Sequence, residues 1–440
     1  MGFTQNLRQV WRHDRFRKLV AVRVASQAAD GTVQVGMASY VLFSPQSQPN
    51  AWAIAAVLAI TLLPFSVIGP FVSLVLDRWS RQRVVVVVDS IRCLVTLAIA
   101  ALVATGSRSA GVSTALFGLL LVAMSLNRFV LAGLSAGLHY TVDEDEFLTA
   151  SSVVPTIGPL GVVIGAVLAG AGRLILGRFI APHLADAVVF CIAAALFVCS
   201  VLLASRIGRS DLGPEPGLPQ TTASQIWTGL MAAFAHLRDR PAARLALQVL
   251  GAQRVAFGFI MVATILGYRN YFHTLDDVPG AMADLSVWAA VTGVGFILAT
   301  AFVPQLTGRL GLRTTAIVLL GALAVVQVLP GSIFTKMALL VASFLLGLLA
   351  QSFKICVDTL VHAHVDADMK GRVFTIYDMV FNGAFVVAAV LAALVLPVEG
   401  LWLPAFLAVA VAYAGMAVWF AWGSARVGKA SFEKGTGRAS

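Results

Sequence analysis

Apolar runs of about twenty residues recur along the whole chain, each long enough to cross the ~30 Å hydrocarbon layer of a membrane as a helix. They predict twelve spans, near 18–43, 51–76, 84–106, 112–138, 150–171, 184–205, 243–267, 285–306, 314–333, 337–361, 373–397 and 401–423. The runs lack the period-two alternation of transmembrane strands, which argues against a barrel. The longest polar interval, 206–241, opens Gly/Pro-rich and closes on a segment near 222–238 that reads as a surface helix. It divides the spans six and six. The chain therefore reads as an amphipathic lead-in (1–17), a six-helix bundle (18–205), a linker (206–241), a second six-helix bundle (242–423) and a tail (424–440).

Composition agrees with this pattern. Of 440 residues, 59% are apolar and 12% charged, and the mean hydropathy is +0.88, too apolar for a soluble domain. The net charge of +10 could suit nucleic acid, but its placement is a topology signal instead. About 21 of the 31 Lys and Arg fall at the N-terminus, in alternate loops and in the tail, about 5 on the other side and about 5 inside spans. This predicts a multi-pass plasma-membrane protein with both termini in the cytoplasm and no nucleic-acid partner. The first run is too long for a signal-peptide core and carries Arg23 and Asp30. Asn6 stands where a myristoylation signal wants Ser or Thr. Segment 3–19 reads as a basic amphipathic stretch with Leu7, Val10 and Trp11 toward lipid. Cys93, Cys191, Cys199 and Cys356 lie within spans without metal or disulfide spacing, and read as small packing residues. No metal and no cofactor is expected.

Charge inside the spans changes the picture most. An ionisable group at mid-bilayer costs roughly 2.5–3.5 kcal/mol even on lenient scales, so it faces protein or water. Arg23, Gln27, Asp30 and Gln34 share one face of the first span. Arg128, Ser135 and His139 repeat the pattern in the fourth, and Gln351, Lys354, Asp358 and His362 in the tenth. Thr375, Asp378 and Asn382 do so in the eleventh, while the seventh contributes Arg254 alone. Such stripes imply a hydrated cavity or a polar seam between helices. Asp30 and Arg128 lie at similar depth and are expected to pair; Asp89 and Arg92 read as a helix-holding ion pair.

Between the second and third spans, SLVLDRWSRQRVVVVVDSIR packs Asp77, Arg78, Arg81 and Arg83 into a gap of about seven residues. Asp77 can pair with Arg81 at i+4 and cap a neighbouring helix N-terminus. The turn after the eighth span, with Gly308, Arg309, Gly311 and Arg313, echoes it. The spacing resembles the signature loop of major facilitator superfamily transporters, with Ser73 and Ser80 where that signature has glycines. VVVVVDSIR, RHDRFRKLVAVRVASQAADG, DEDEFLTASSVVPTIGPLG, HLRDRPAARL and KGRVFTIYDM are similar to segments of the branch holding the enterobactin exporter and the macrolide-efflux proteins. The resemblance implies an all-α integral membrane fold, twelve transmembrane helices in two pseudo-symmetric six-helix bundles. It implies a cytoplasmic gate at Asp77, Arg78, Arg81 and Arg83, with Asp77 facing Gly371 and Arg372. It also implies a cavity lined by helices one, four, seven and ten, and an exporter-like motif at Gly158, Pro159, Gly161 and Gly165. That run would loosen the fifth helix and permit close helix packing.

The function expected is secondary transport rather than catalysis: a proton-coupled antiporter exporting a small amphipathic solute (drug, siderophore or lipid-like metabolite) by alternating access. Gln27, Asp30, Gln34, Arg128, Arg254, Gln351, Lys354, Asp358, Asp378 and Asn382 would line the substrate and proton pathway. The partners expected are substrate, protons and membrane lipids, with the protein a monomer. Two alternatives stay open: a lipid flippase on the same fold, and an integral membrane enzyme with a metal at His362, His364, Asp366 and Asp368. The acidic run Asp143–Glu146 reads as an exposed turn that could touch the gate arginines.

Overall fold

Long apolar stretches punctuated by good capping residues make helices, and helices are what the chain forms. The computed structural model describes residues 9–42, 51–107, 109–143, 146–213, 222–274, 277–366 and 369–432, and among these there are no strands. The first half contributes α1 (Asp14–Leu42), α2 (Ala51–Val67), α3 (Arg81–Ala104), α4 (Ala110–Gly137), α5 (Phe147–Leu176) and α6 (Pro182–Ser205). The linker carries α7 (Ala223–Asp239). Then come α8 (Pro241–Leu266), α9 (Val278–Leu310), α10 (Leu312–Val328), α11 (Lys336–His364), α12 (Lys370–Val395) and α13 (Leu403–Val427). Ten of these segments are long and apolar enough to cross a membrane. The two remaining predicted spans are also helical: α1 is rich in charge, and α10 has 17 residues. The twelve long helices are consistent with the twelve spans expected.

Local chemistry sets the ends. Ser80 and Ser109 accept hydrogen bonds from the backbone N–H of Arg83 and Val112, capping α3 and α4, and Thr335 does the same for α11. The predicted single span 51–76 gives way at Gly69-Pro70, a pair that disfavours a continuous α-helix, to a 3₁₀ turn, Gly69–Phe71, and a short helix, Ser73–Leu76. Gly311 ends α9 and starts α10 with φ +80°, a conformation glycine adopts without strain. That is how the echo turn in the second half fits into one residue.

By internal packing the chain falls into two units, Met1–Ser44 with Val67–Ile226, and Pro45–Ser66 with Trp227–Ser440. In the first, α1 lies against α5 and α6, and α3 against α4 and α6. At one end, Phe16, Leu19, Val22, Val84, Val88, Val130 and Leu134 form an apolar core. Val10 is buried in that core, not turned to lipid as expected; Trp11 is exposed, and Leu7 and Asn6 lie outside the described residues. In the second unit, α8 packs on α11, α12 and α13, and is the most enclosed of the ten apolar spans. Cys356 is buried, whereas Cys191 and Cys199 are exposed on α6.

Candidate functional site

The polar stripe of α1 turns inward, onto an ion network. Fully buried Asp30 is bound by Arg92 of α3, itself fully buried. Arg92 Nη1 donates to Asp89 Oδ1 at 3.1 Å and to Ser26 Oγ at 3.4 Å, and Nε donates to the Ala123 carbonyl at 3.2 Å. Ser200 Oγ of α6 donates to Asp89 Oδ2 at 2.6 Å and Gln27 Nε2 to Asp30 Oδ2 at 2.9 Å. The Phe197 ring lies 4.3 Å from the guanidinium. Groups from four helices thus gather two carboxylates around one cation. The expected Asp30–Arg128 pair does not form: depth in the bilayer was matched, but Arg92 is the guanidinium that reaches the carboxylate. Asp89–Arg92, read as an isolated brace, is the centre of the network that holds Asp30.

Arg128 instead lines an open cavity of about 170 Å³ with Gly69, Val72 and Ser135, and Arg23 Nη1 donates to Ser135 Oγ at 3.3 Å. Gln34 is half-buried. Two glycines of the α5 motif, Gly161 and Gly165, let two backbones meet. A Cβ on Gly165 would fall 1.8 Å from the Ala28 carbonyl oxygen, one on Gly161 2.9 Å from Gln27 Cβ, and one on Gly158 3.4 Å from Arg23 Nε. Thr32 Oγ1 bridges the Ala28 and Gly165 carbonyls. The helix runs through Pro159 without a break, and Pro159 itself is exposed. The motif therefore acts here as a close-packing surface carrying the polar face of α1.

At the charged turn, Arg81 donates to the Leu212 carbonyl at 2.8 Å and stacks over Tyr140 at 5.0 Å, not on Asp77 as expected. Its backbone N–H donates to the Gly213 carbonyl. Ser80, not Asp77, caps α3. Arg83 lies over the Trp79 ring at 4.9 Å, and Arg78 is exposed. In the second unit Gly371 is exposed, and the Arg372 side chain lies against Gly229 of α7.

In the second unit Arg254, Lys354, Asp358, Phe381 and Tyr377 come together. Lys354 Nζ donates to Asp358 Oδ2 at 2.7 Å and stands 5.5 Å from the Phe381 ring and 5.4 Å from that of Tyr377. Arg254, about 20 Å along α8 from Pro241 at 1.5 Å per residue, is buried over Phe381 at 4.0 Å, with Phe257 and Phe385 at 5.7 and 5.8 Å. Desolvated cation–π contacts are worth on the order of 2 kcal/mol, less than the several kcal/mol that desolvating a cation costs. Gln351 is half-buried on the same α11 face, and Asp378 is exposed. Asn382 Nδ2 donates to the Asp378 carbonyl of its own helix at 2.9 Å.

The metal cluster considered at the end of α11 does not assemble among the described residues. His362 stacks on Phe374, His364 Nδ1 meets the Leu360 carbonyl, and Asp366 is held by Arg240 at 2.7 Å; Asp368 lies outside the described residues. Glu146 bonds His13 at 2.7 Å rather than a gate arginine, with Asp143 4.0 Å from the same nitrogen; Glu144 and Asp145 lie outside the described residues. Three metal-ligand types meet there, a grouping sequence spacing could not reveal because His13 and Glu146 are 133 residues apart.

No protein-family model matches the chain. It is 31% identical over 398 residues to an uncharacterized MFS-type transporter of Mycobacterium tuberculosis, covering 89% of this chain and 88% of the relative. A counterpart from Mycobacterium bovis matches with the same figures. Among solved structures, the nucleoside transporter NupG superposes with a TM-score of 0.69 at 16% identity, over 93% of this chain and 99% of that one. The POT family transporter PepTSo gives 0.65 at 13%, over 94% and 98%. A bacterial homologue of the iron transporter ferroportin gives 0.59 at 15%, over 93% and 99%.

Proposed function

The chain belongs to the major facilitator superfamily of membrane transporters, and from that premise we propose that it is a proton-coupled exporter of a small amphipathic solute, akin to the enterobactin-exporter and macrolide-efflux branch. It works by alternating access in the plasma membrane, with both termini in the cytoplasm. The observation that carries this reading is the ratio in the α1 network: two carboxylates, Asp30 and Asp89, share the single guanidinium of Arg92. A proton on either carboxylate balances the cluster, and its loss leaves a net negative charge in the membrane interior. A helix rearrangement that separates Asp30 from Arg92 then takes up or releases that proton. The positive-inside distribution of Lys and Arg supports the orientation.

The test is transport in proteoliposomes with an imposed pH gradient, screened over a panel of amphipathic solutes. Wild type moves solute with the gradient and Asp30→Asn does not; equal gradient-driven transport by both removes Asp30 from coupling. A second reading has one observation in its favour. An apolar groove of about 730 Å³, lined by Phe259, Leu391, Val395, Trp402 and Met416 among others, is of a size to hold a lipid tail, as a flippase requires. Translocation of a fluorescent lipid in the same vesicles, with no movement of soluble dyes, selects the flippase.

A further inference from the structure

Arg254 is 2% exposed, and its guanidinium has no ion pair and no hydrogen-bond acceptor among the described residues; Nε is buried and unpartnered. Asp358, the carboxylate whose charge reaches it, is already bound to Lys354 at 2.7 Å. Arg254, Lys354 and Asp358 therefore carry one positive charge in excess. Three rings enclose the guanidinium, Phe381 at 4.0 Å, Phe257 at 5.7 Å and Phe385 at 5.8 Å, and Phe257 and Phe385 meet edge to face at 5.9 Å. An arginine serving only to hold helices together finds acceptors, as Arg92 does on three separate groups and a carbonyl. A buried cation flanked by aromatic rings and with no acceptor of its own among the described residues is incomplete without an anion.

We propose that Arg254, walled by Phe257, Phe381 and Phe385, is the recognition site for an organic anion: a carboxylate on a flat, apolar, aromatic body. The planar guanidinium takes the carboxylate in two parallel hydrogen bonds, and the body stacks on the rings. Lys354, tethered by Asp358 and 5.5 Å from Phe381, adds positive potential without competing for the same oxygens. The inference rests on the transport reading above for its physiological meaning and on this geometry alone for binding.

The experiment is calorimetric binding of 2-naphthoate and of its uncharged primary amide to the full-length protein in lipid nanodiscs. Wild type binds the acid at least about tenfold tighter than the amide. Arg254→Gln lowers acid affinity to that of the amide, Arg254→Lys keeps part of the preference, and Phe381→Leu weakens both ligands. Because the buried cation is unpaired, Arg254→Gln leaves the melting temperature at or above that of wild type, whereas a structural arginine would lower it. The proposal is overturned if wild type does not prefer the acid, if Arg254→Gln keeps the preference, or if that variant melts several degrees lower. Naphthoate binding without gradient-driven transport leaves the site standing and sinks the exporter. Gradient-driven transport confined to neutral or cationic solutes and unaffected by Arg254→Gln does the reverse.

Discussion

In the first unit Arg92 meets Asp30, Asp89, Ser26 and the Ala123 carbonyl, while in the second Arg254 meets three phenylalanine rings and, among the described residues, no acceptor. Both guanidiniums are buried within spanning helices at similar cost. The difference lies in who repays it. Around Arg92 the protein supplies the partners, and the excess is negative. Around Arg254 the protein leaves the donors open, and the excess is positive. A satisfied buried charge organises helices; an unsatisfied one marks a place where something from outside completes the site.

The largest expected effect comes from removing the first cation. Arg92→Leu strands two buried carboxylates without their cation and destabilises the protein by about 3–5 kcal/mol, seen as loss of a monodisperse peak on fluorescence-detected size exclusion. Arg254→Leu, by contrast, leaves that peak intact. If the two variants behave alike, the distinction between the units fails.

A smaller effect sharpens the reason for the first unit's order. Gly165→Val drives a side chain into the Ala28 carbonyl, where backbone and not a flexible side chain stands in the way. Overpacking of this kind costs about 1–3 kcal/mol, and the melting temperature falls accordingly. Gly170→Val on the same helix, where nothing lies within reach of a Cβ, leaves it unchanged.

The smallest effect is at the surface of the second unit, between α8 and α9. His273 faces Asp277 at 2.6 Å and Asp284 at 2.7 Å, and Lys336 lies 2.6 Å from Asp284. The hydrogen bond from His273, then that from the Gly280 N–H, hold the Asp277 carboxyl below its ordinary value. A lowered carboxylate stabilises the fold above the ordinary aspartate range, near pH 4, and that contribution disappears as pH falls through the lowered value. Melting curves between about pH 3 and 6 therefore show a slightly steeper acid loss in wild type than in Asp277→Asn; parallel curves would show that this exposed pair contributes nothing.

How much was legible follows from the range of each signal. The helices were readable because twenty apolar residues in a row need only their own composition to specify a span, and the linker helix Ala223–Asp239 falls close to the expected 222–238. The break at Gly69-Pro70 was written in the chain too, in a pair that disfavours a continuous helix, yet the hydrophobic run concealed it. The stripe on α1 was visible as periodicity, and so was the presence of charge in the fourth, seventh and tenth spans. Partner choice was not. Arg128 matched Asp30 in depth while Arg92 read as the partner of Asp89, since sequence reports depth along a helix but not which neighbouring helix turns its side chain inward.

Sequence alone determined that this chain crosses a membrane repeatedly, where its helices run and which of them carry charge into lipid, because apolar length and the cost of a buried ion act locally. Tertiary structure alone decided that Arg92 is shared by two carboxylates while Arg254 stands among Phe257, Phe381 and Phe385. That outcome depends on contacts between residues far apart in the chain, 62 positions for Arg92 with Asp30, and no local pattern encodes it.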